Sequence, residues 1–434
     1  MNILKEIFHS VELDEKLCEG CTNCIKRCPT EAIRVRNGKA YIIKDRCIDC
    51  GECIRHCPHH AKKAIFDPLD VMNNFKYKIA LPAPSLYGQF NNLDDVDIVL
   101  NALIKMGFDD VYEVADGAEI VSASTRLLIS DGNLKHPVIS SACPAVLRLI
   151  SVRFPELIEN ILPLNSPMEV AAKDAREKAV QKTGLKSEDI GIIFISPCAA
   201  KNTAVKAPMT LNKSNVDAVV AIRDIYPKLL SYMKQCTSPS NISHAGKIGV
   251  SWAKSGGEAS GTLMENYLAA DGIENVIKVL EDLEDEKFRD LDFIELNACS
   301  GGCVGGVLTV ENPYVARARI NALRKYLPVS SSHLNSVPKQ AKTEKNISPK
   351  DVFSLSSDVN EAMKRMKEVE TILSTFPNLD CGSCGAPSCR ALAEDIVLNK
   401  ADETYCIFKM RDKMEELINQ MAHLNRKERK DDES

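Results

Sequence analysis

The chain has 434 residues, 44% hydrophobic and 26% charged, with a formal net charge of −5. That length exceeds one compact core, so about two to four domains are expected. The charge gives no electrostatic basis for nucleic acid or an anionic membrane, no apolar run is long enough to span a bilayer, and the stretch Met1 to His9 lacks a signal-peptide h-region.

Seventeen cysteines are the abnormal number. Their spacings are those of metal ligands, and no export signal favours disulfides, so a reducing cytoplasm is the expected location. Cys18, Cys21, Cys24 and Cys28-Pro29 form one Cys-x2-Cys-x2-Cys-x3-Cys-Pro run, and Cys47, Cys50, Cys53 and Cys57-Pro58 repeat it. Three closely spaced cysteines wrap three corners of a cubane, while the fourth ligates the other cluster. The expected sets are therefore Cys18, Cys21, Cys24 and Cys57 for one [4Fe-4S] cluster, and Cys47, Cys50, Cys53 and Cys28 for the other. A pair of zinc sites is the alternative, although zinc ligands usually come as separated pairs. Between the runs, Ala32 to Val35 and Ala40 to Ile43 around Asn37-Gly38 read as a short hairpin. Residues 1–75 thus read as a dicluster 2[4Fe-4S] ferredoxin-like domain.

From Lys76 the pattern changes. Ile98 to Met106 and Ala118 to Ile129 read as helices, with Val111 to Val114 as an extended segment between them. Apolar strands then end just before cysteines: Val138-Ile139 before Cys143, Gly191 to Ile195 before Cys198, and Phe293 to Leu296 before Cys299. Continuous apolar strands alternating with helices predict a buried parallel sheet, so the fold class is α/β. Functional groups in such sheets gather beyond the strands' carboxyl ends. Cys143, Cys198, Cys299 and Cys303 are therefore expected as neighbours, which suits one cubane.

Three segments make this domain resemble the active-site domain of the [FeFe]-hydrogenases. They are Ser140-Ser141-Ala142-Cys143-Pro144, Pro197-Cys198-Ala199-Ala200-Lys201, and Glu295-Leu296-Asn297-Ala298-Cys299-Ser300-Gly301-Gly302-Cys303-Val304-Gly305-Gly306. With the N-terminal module, the resemblance spans about residues 15–325 and implies an H-cluster domain over 76–328, with parallel sheets and flanking helices. It implies a cubane held by Cys143, Cys198, Cys299 and Cys303, with Cys303 bridging to a di-iron subsite that carries CO, cyanide and azadithiolate. Lys201 can give a charge-assisted hydrogen bond to a cyanide nitrogen, and Gly305 lets backbone approach a bulky inorganic group. Ala83-Pro84-Ser85 and Ser166-Pro167 resemble two further segments lining the family's di-iron pocket. A plain surface lysine is the alternative for Lys201.

The departures from the family pattern concern protons. The residue before the first ligand is usually a cysteine that relays protons; a thiol titrates near pH 8.5 and can do so, whereas Ala142 cannot. Positions where acidic relay residues are expected hold Ser122 and Thr125, and the glutamate usual after the second signature is Ala204. Ser196 and Asn297 stand where methionines are usual, and the family's Gly-Gly-Gly-Gln-Pro ending is lost after Gly306. Glu295 and Glu258 are candidates for another proton route, provided that they come within hydrogen-bond reach. The alternatives are a buried structural carboxylate for Glu295 and a solvated loop residue for Glu258.

Residues 329–350 are polar and rich in Ser, Lys and Pro, and read as a linker. Beyond them, residues 351–406 contain a helix over Val359 to Leu373 and then Cys381, Cys384, Cys389 and Cys406. This spacing resembles the small [4Fe-4S] domain found at the ends of redox and signalling proteins, with zinc as a competitor. Only Cys236 is left unassigned, as an ordinary helix residue. In the tail, 407–434, Met410, Met414, Leu417, Met421 and Leu424 form an a/d stripe. It reads as packing onto its own domain, as a parallel homodimer helix, or as a stub leading to a partner.

The resemblance implies an enzyme that interconverts H2 with protons and electrons, and needs maturation proteins for its di-iron subsite. Ala142 and the appended cluster domain turn the expectation towards a slow hydrogen sensor that passes electrons or a signal through its clusters. The alternatives are a metabolic, ferredoxin-dependent hydrogenase and an iron–sulfur assembly or electron-transfer protein without the di-iron subsite.

Overall fold

The computed structural model describes residues 8–431, with side chains through residue 423. Two compact units result. One contains residues 8–12, Ile48–Gly51 and Ala64–Lys350; the other contains Leu13–Cys47, Glu52–Lys63 and residues 351–431.

The first unit is built on two parallel sheets. In the larger, the spatial order of strands is Asp110–Val111, Tyr77–Pro82, Ile190–Ser196 and Ala218–Ala221. Ile190–Ser196 is buried at every position because both faces are covered. Ile193 and Ile195 point into a core with Leu100, Leu103 and Ile222. Ile192 and Phe194 point the other way, against Met168, Ala171 and Ala172. The two-residue period of a strand thus feeds two cores from one apolar run. The smaller sheet orders Tyr267–Asp271, Phe293–Asn297 and Val138–Ile139, with Ile294 paired to both Leu268 and Ile139.

These strands end where the apolar runs end, and helices follow at once. Pro144–Arg153 begins with proline directly after Cys143, and Ala199–Lys206 directly after Cys198. Proline suits that first turn because it has no N–H to leave unpaired. The helix expected from Ala118 begins earlier, as Val114–Ser130, which shortens the preceding strand to Asp110–Val111. Burial of Val114 and Ala115 favours the helical face over the extended one.

Residues 329–350, expected as a linker, are bonded along this unit. The Glu119 carboxylate accepts from the Ser331 and Ser332 amides at 2.7 and 3.1 Å and from the Ser330 hydroxyl at 2.7 Å. Further on, Asn165 N donates to Ala341 O and Lys350 N to Ser151 O. The polar composition serves these bonds.

In the second unit, Ile33–Arg36 and Lys39–Ile42 pair antiparallel through Asn37 and Gly38, both at positive φ as that turn requires. The helices Val359–Ser374 and Cys389–Val397 share a core of Val369, Phe376 and Leu392. The helix Ile407–Asp431 follows. On it, Met410, Met414, Leu417 and Met421 are exposed, so the stripe does not pack onto its own domain; the Leu424 side chain lies outside the described residues. Among the described residues, no helix is long and apolar enough to cross a membrane.

Candidate metal centre

Cys143, Cys198, Cys299 and Cys303 come together in the first unit from three strand ends. Burial pushes the Cys198 thiol up to about 12, with the neighbouring Cys299 and Cys143 adding to the effect. Cys303 is raised well above its ordinary value by burial and then by the other three. Four half-buried thiols gathered in this way call for a strong positive charge to neutralise their thiolates. That is the donor chemistry of an iron–sulfur cluster, and the residues fit it.

A small cavity adjoins this quartet. Cys198 and Cys303 line it together with Lys201, Ala142 and the Ala83-Pro84-Ser85 segment. Sequence reasoning missed its apolar walls, which include Val114, Met168, Phe194 and Trp252. The Lys201 Nζ donates to Ala142 O at 3.0 Å, so it is not a plain surface lysine. The Ser85 hydroxyl is fully buried and has no hydrogen-bond partner in the protein. Such an orphan, on an otherwise apolar wall beside a lysine, fits a bound group that accepts hydrogen bonds.

Ser166 lies one step away. It precedes the helix Pro167–Thr183 and lines a second cavity, which shares Ala142, Met168 and Lys201 with the first. Gly305 has a different neighbour from the expected one. A Cβ there would lie 2.1 Å from Ser300 O, so the close approach that requires glycine is to the protein's own backbone.

The expected proton positions hold no acid. Ser122 accepts from Trp252 Nε1 at 2.9 Å, and Thr125 donates to Val121 O at 2.8 Å. Glu258 is buried, which overturns its alternative as a solvated loop residue. The short helix Gly257–Gly261 is fixed by Glu295, whose carboxylate accepts from Gly256 N at 3.0 Å and Ala259 N at 2.8 Å. Asn297 also donates to Glu295, at 2.7 Å. Glu258 in turn accepts from the Ser140 hydroxyl at 2.6 Å, and Ser140 Oγ accepts from Ala142 N at 3.1 Å. Burial and then the Glu295 charge hold the Glu258 carboxyl well above the usual range. Ser196 accepts from Cys198 N at 3.2 Å and so shapes the second ligand's turn.

A buried polar network stands behind these ligands. Arg148 Nη1 and Thr203 Oγ1 both donate to Asp49 Oδ2 at 2.8 Å, while Ser10 N donates to Asp49 Oδ1 at 2.8 Å. Arg148 and Thr203 sit on the helices that follow Cys143 and Cys198, and Asp49 precedes Cys50. Cys50 itself is half-buried, beside the core of Ile139, Ala145 and Ile294.

In the second unit, Cys18, Cys21, Cys24 and Cys57 line one cavity of about 330 Å³. The Cys53 thiol is raised by burial and by Cys47 and Cys28, so Cys28 sits with the second run. Main-chain amides donate to the ligand sulfurs, Ala32 to Cys28 and Ala61 to Cys57. At the other end, Cys384 is raised by burial, with Cys381 and Cys406 adding, and Cys389 packs in the same core. Cys236, expected as a helix residue, lies just beyond the helix Ile222–Met233, where it is buried with its thiol against Tyr232 O.

Comparison with known proteins gives concordant matches. The family described as iron only hydrogenase large subunit, C-terminal domain, matches residues 76–257 and 244–307. A 4Fe-4S dicluster domain matches residues 10–58, and an Fe-S cluster family matches residues 376–408. Iron hydrogenase 1 of Clostridium pasteurianum is 26% identical over 371 residues, covering 68% of this chain and 64% of that protein. The NADP-reducing hydrogenase subunit HndD of Solidesulfovibrio fructosivorans is 23% identical over 226 residues, covering 50% and 36%. The chain therefore spans less than two thirds of the length of these relatives. A solved [FeFe]-hydrogenase from Chlamydomonas reinhardtii shares the fold, with 15% identity and a TM-score of 0.50 over 66% of this chain and 98% of that one.

Proposed function

This chain belongs to the iron-only, or [FeFe], hydrogenase large-subunit family, and we propose that it binds hydrogen and turns it over slowly, as a sensor. Cys143, Cys198, Cys299 and Cys303 would hold the cubane of an H-cluster, with Cys303 shared with a di-iron subsite. When bound, that group supplies heterolytic cleavage of H2 at iron bearing CO, cyanide and azadithiolate. Lys201 and the orphan Ser85 hydroxyl would donate to its ligands and orient it, and the apolar walls would keep water out.

The observation that carries the slow reading is Ala142. It lines the cavity beside Lys201 and Cys303, and a methyl group there cannot accept or release a proton. A buried acid, Glu258, is joined to the Ala142 amide through Ser140. Protonated by burial, Glu258 can serve as a reservoir, with Glu295 holding the loop that carries it. A metabolic hydrogenase, passing electrons to a ferredoxin, is the second reading; the Glu258–Ser140 pair is what favours it, as an alternative proton path. Glu258→Gln removes that reservoir and should slow turnover further.

Electrons would leave through the N-terminal sites of Cys18, Cys21, Cys24 and Cys57 and of Cys47, Cys50, Cys53 and Cys28. A ferredoxin or signalling protein would receive them. The exposed stripe from Met410 to Met421 would form either a dimer helix or the contact for that partner. Maturation proteins would deliver the di-iron group. The test is infrared spectroscopy of the chain matured with them. Sharp CO and cyanide bands that shift under H2 are expected. Their absence from fully iron-loaded protein would favour the assembly-factor alternative.

A further inference from the structure

The two cysteine sites of the second unit meet at their ligand loops. Gly382 follows Cys381, and Ile25 and Lys26 follow Cys24. A Cβ built on Gly382 would lie 3.4 Å from Ile25 Cδ1 and 3.2 Å from Lys26 Cε. The loop carrying one site thus approaches the helix carrying the other so closely that one added carbon would touch it. The approach continues along the hairpin, where Val35 N donates to Gly385 O at 2.8 Å. Gly385 has φ +75, and a Cβ on it would fall 1.9 Å from Val35 O. Any other residue there would push the two modules apart.

Two arginines of the hairpin strand seal this contact with one carboxylate. Arg34 Nε and Arg36 Nη2 both donate to Asp395 Oδ2, at 2.8 and 2.7 Å. All three side chains are buried. The neighbouring Arg46 and Glu394 extend this into a buried cluster of mixed charge. Arg36 Nη1 donates to Cys384 O at 2.8 Å, and its guanidinium lies 5.0 Å from the centre of the Tyr405 ring, next to Cys406.

We infer that the C-terminal site of Cys381, Cys384, Cys389 and Cys406 is an electron outlet joined, across the close approach of Gly382 to Ile25 and the Val35–Gly385 hydrogen bond, to the site of Cys18, Cys21, Cys24 and Cys57, and that Arg36 is the positioning residue that holds the two together and raises the outlet's potential. One electron passes from the reduced ferredoxin-side cluster to the oxidised C-terminal cluster; no bond or proton is exchanged. A nearby cation stabilises the more negative, reduced state, whereas a carboxylate opposes it. The inference rests on the proposed reading of these cysteines as cluster ligands and on no property of the hydrogen site.

The test uses the full-length, iron-loaded chain, poised with dithionite and mediators in the absence of hydrogen. Electron paramagnetic resonance is recorded across the titration, and Cys381→Ser, a change at an exposed ligand, identifies the C-terminal signal. In the unaltered chain, the signals of the two reduced clusters should show spin–spin interaction. Arg36→Gln should shift the C-terminal midpoint to lower potential, Asp395→Asn should shift it higher, and Arg36→Lys should restore most of the loss. Magnetically isolated signals in the unaltered chain, zinc at the C-terminal cysteines, or an unchanged midpoint in folded Arg36→Gln would overturn the inference. A failed hydrogen site would leave all of these readouts intact.

Discussion

Lys201 donates from Nζ to the main-chain carbonyl of Ala142, 59 positions earlier, at 3.0 Å. The bond ties the helix after the second ligand to the residue before the first. It also fixes the lysine's charge on the wall of the cavity that Cys303 lines. The residue that departs from the family pattern and one that keeps it are therefore in direct contact.

Lys201→Met keeps most of the aliphatic stem and removes the charge. The proposed donor to the di-iron ligands is then lost, while the packing largely survives. A charged hydrogen bond contributes roughly 1.5–3 kcal/mol, so retention of the di-iron group should fall by roughly tenfold or more. Infrared band intensity per iron, measured on matured protein, checks this; undiminished bands would show that Lys201 holds nothing.

Asp49 is the hub of a buried network, and its partner Arg148 is as deeply buried. Asp49→Ala leaves that guanidinium without its carboxylate and removes the Asp49 bonds to Ser10 N and Thr203 Oγ1. Breaking a buried pair in this way costs about 3–5 kcal/mol. Chemical unfolding of the iron-loaded chain should show that loss; a change below about 1 kcal/mol would mean that the site relaxes or admits water.

Asp116 gives a pH dependence with a defined sign. Burial, then the Glu113 and Glu119 charges, push its carboxyl from an ordinary 3.8 up to about 7. The folded state therefore holds this proton more tightly than the unfolded chain. Its contribution to stability is complete below about pH 3.8 and is lost as pH rises through about 7. Asp116→Asn should leave stability unchanged near pH 4 and raise it at pH 8, as read from melting temperatures at the two pH values. An equal effect at both would remove titration as the cause.

Local chemistry was readable from the chain, and long-range pairing was not. The apolar run Gly191 to Ile195 announced a strand buried on both faces, and Asn37-Gly38 announced its turn. The spacing of Cys18, Cys21 and Cys24 likewise carried their geometry. Nothing periodic links Asp49 to Arg148, or Arg34 and Arg36 to Asp395, because a buried ion pair depends on two elements meeting. Glu258 looked solvated because glycines surround it, yet Glu295 caps that loop and draws it inside. Gly305 had a visible requirement for glycine, but only the fold shows that Ser300 is its cause.

On the proposed reading, Ala142 limits a site otherwise equipped for hydrogen. The most direct measurement is the hydrogen-oxidation rate of the matured chain beside that of Ala142→Cys, with equal di-iron occupancy established by infrared spectroscopy. A positioned proton donor contributes roughly 10²–10⁴-fold to a rate. A low rate is expected for the natural chain and a rise of at least about tenfold in the variant. A natural rate already in the range of ordinary family members, or no change on restoring the thiol, would contradict this reading.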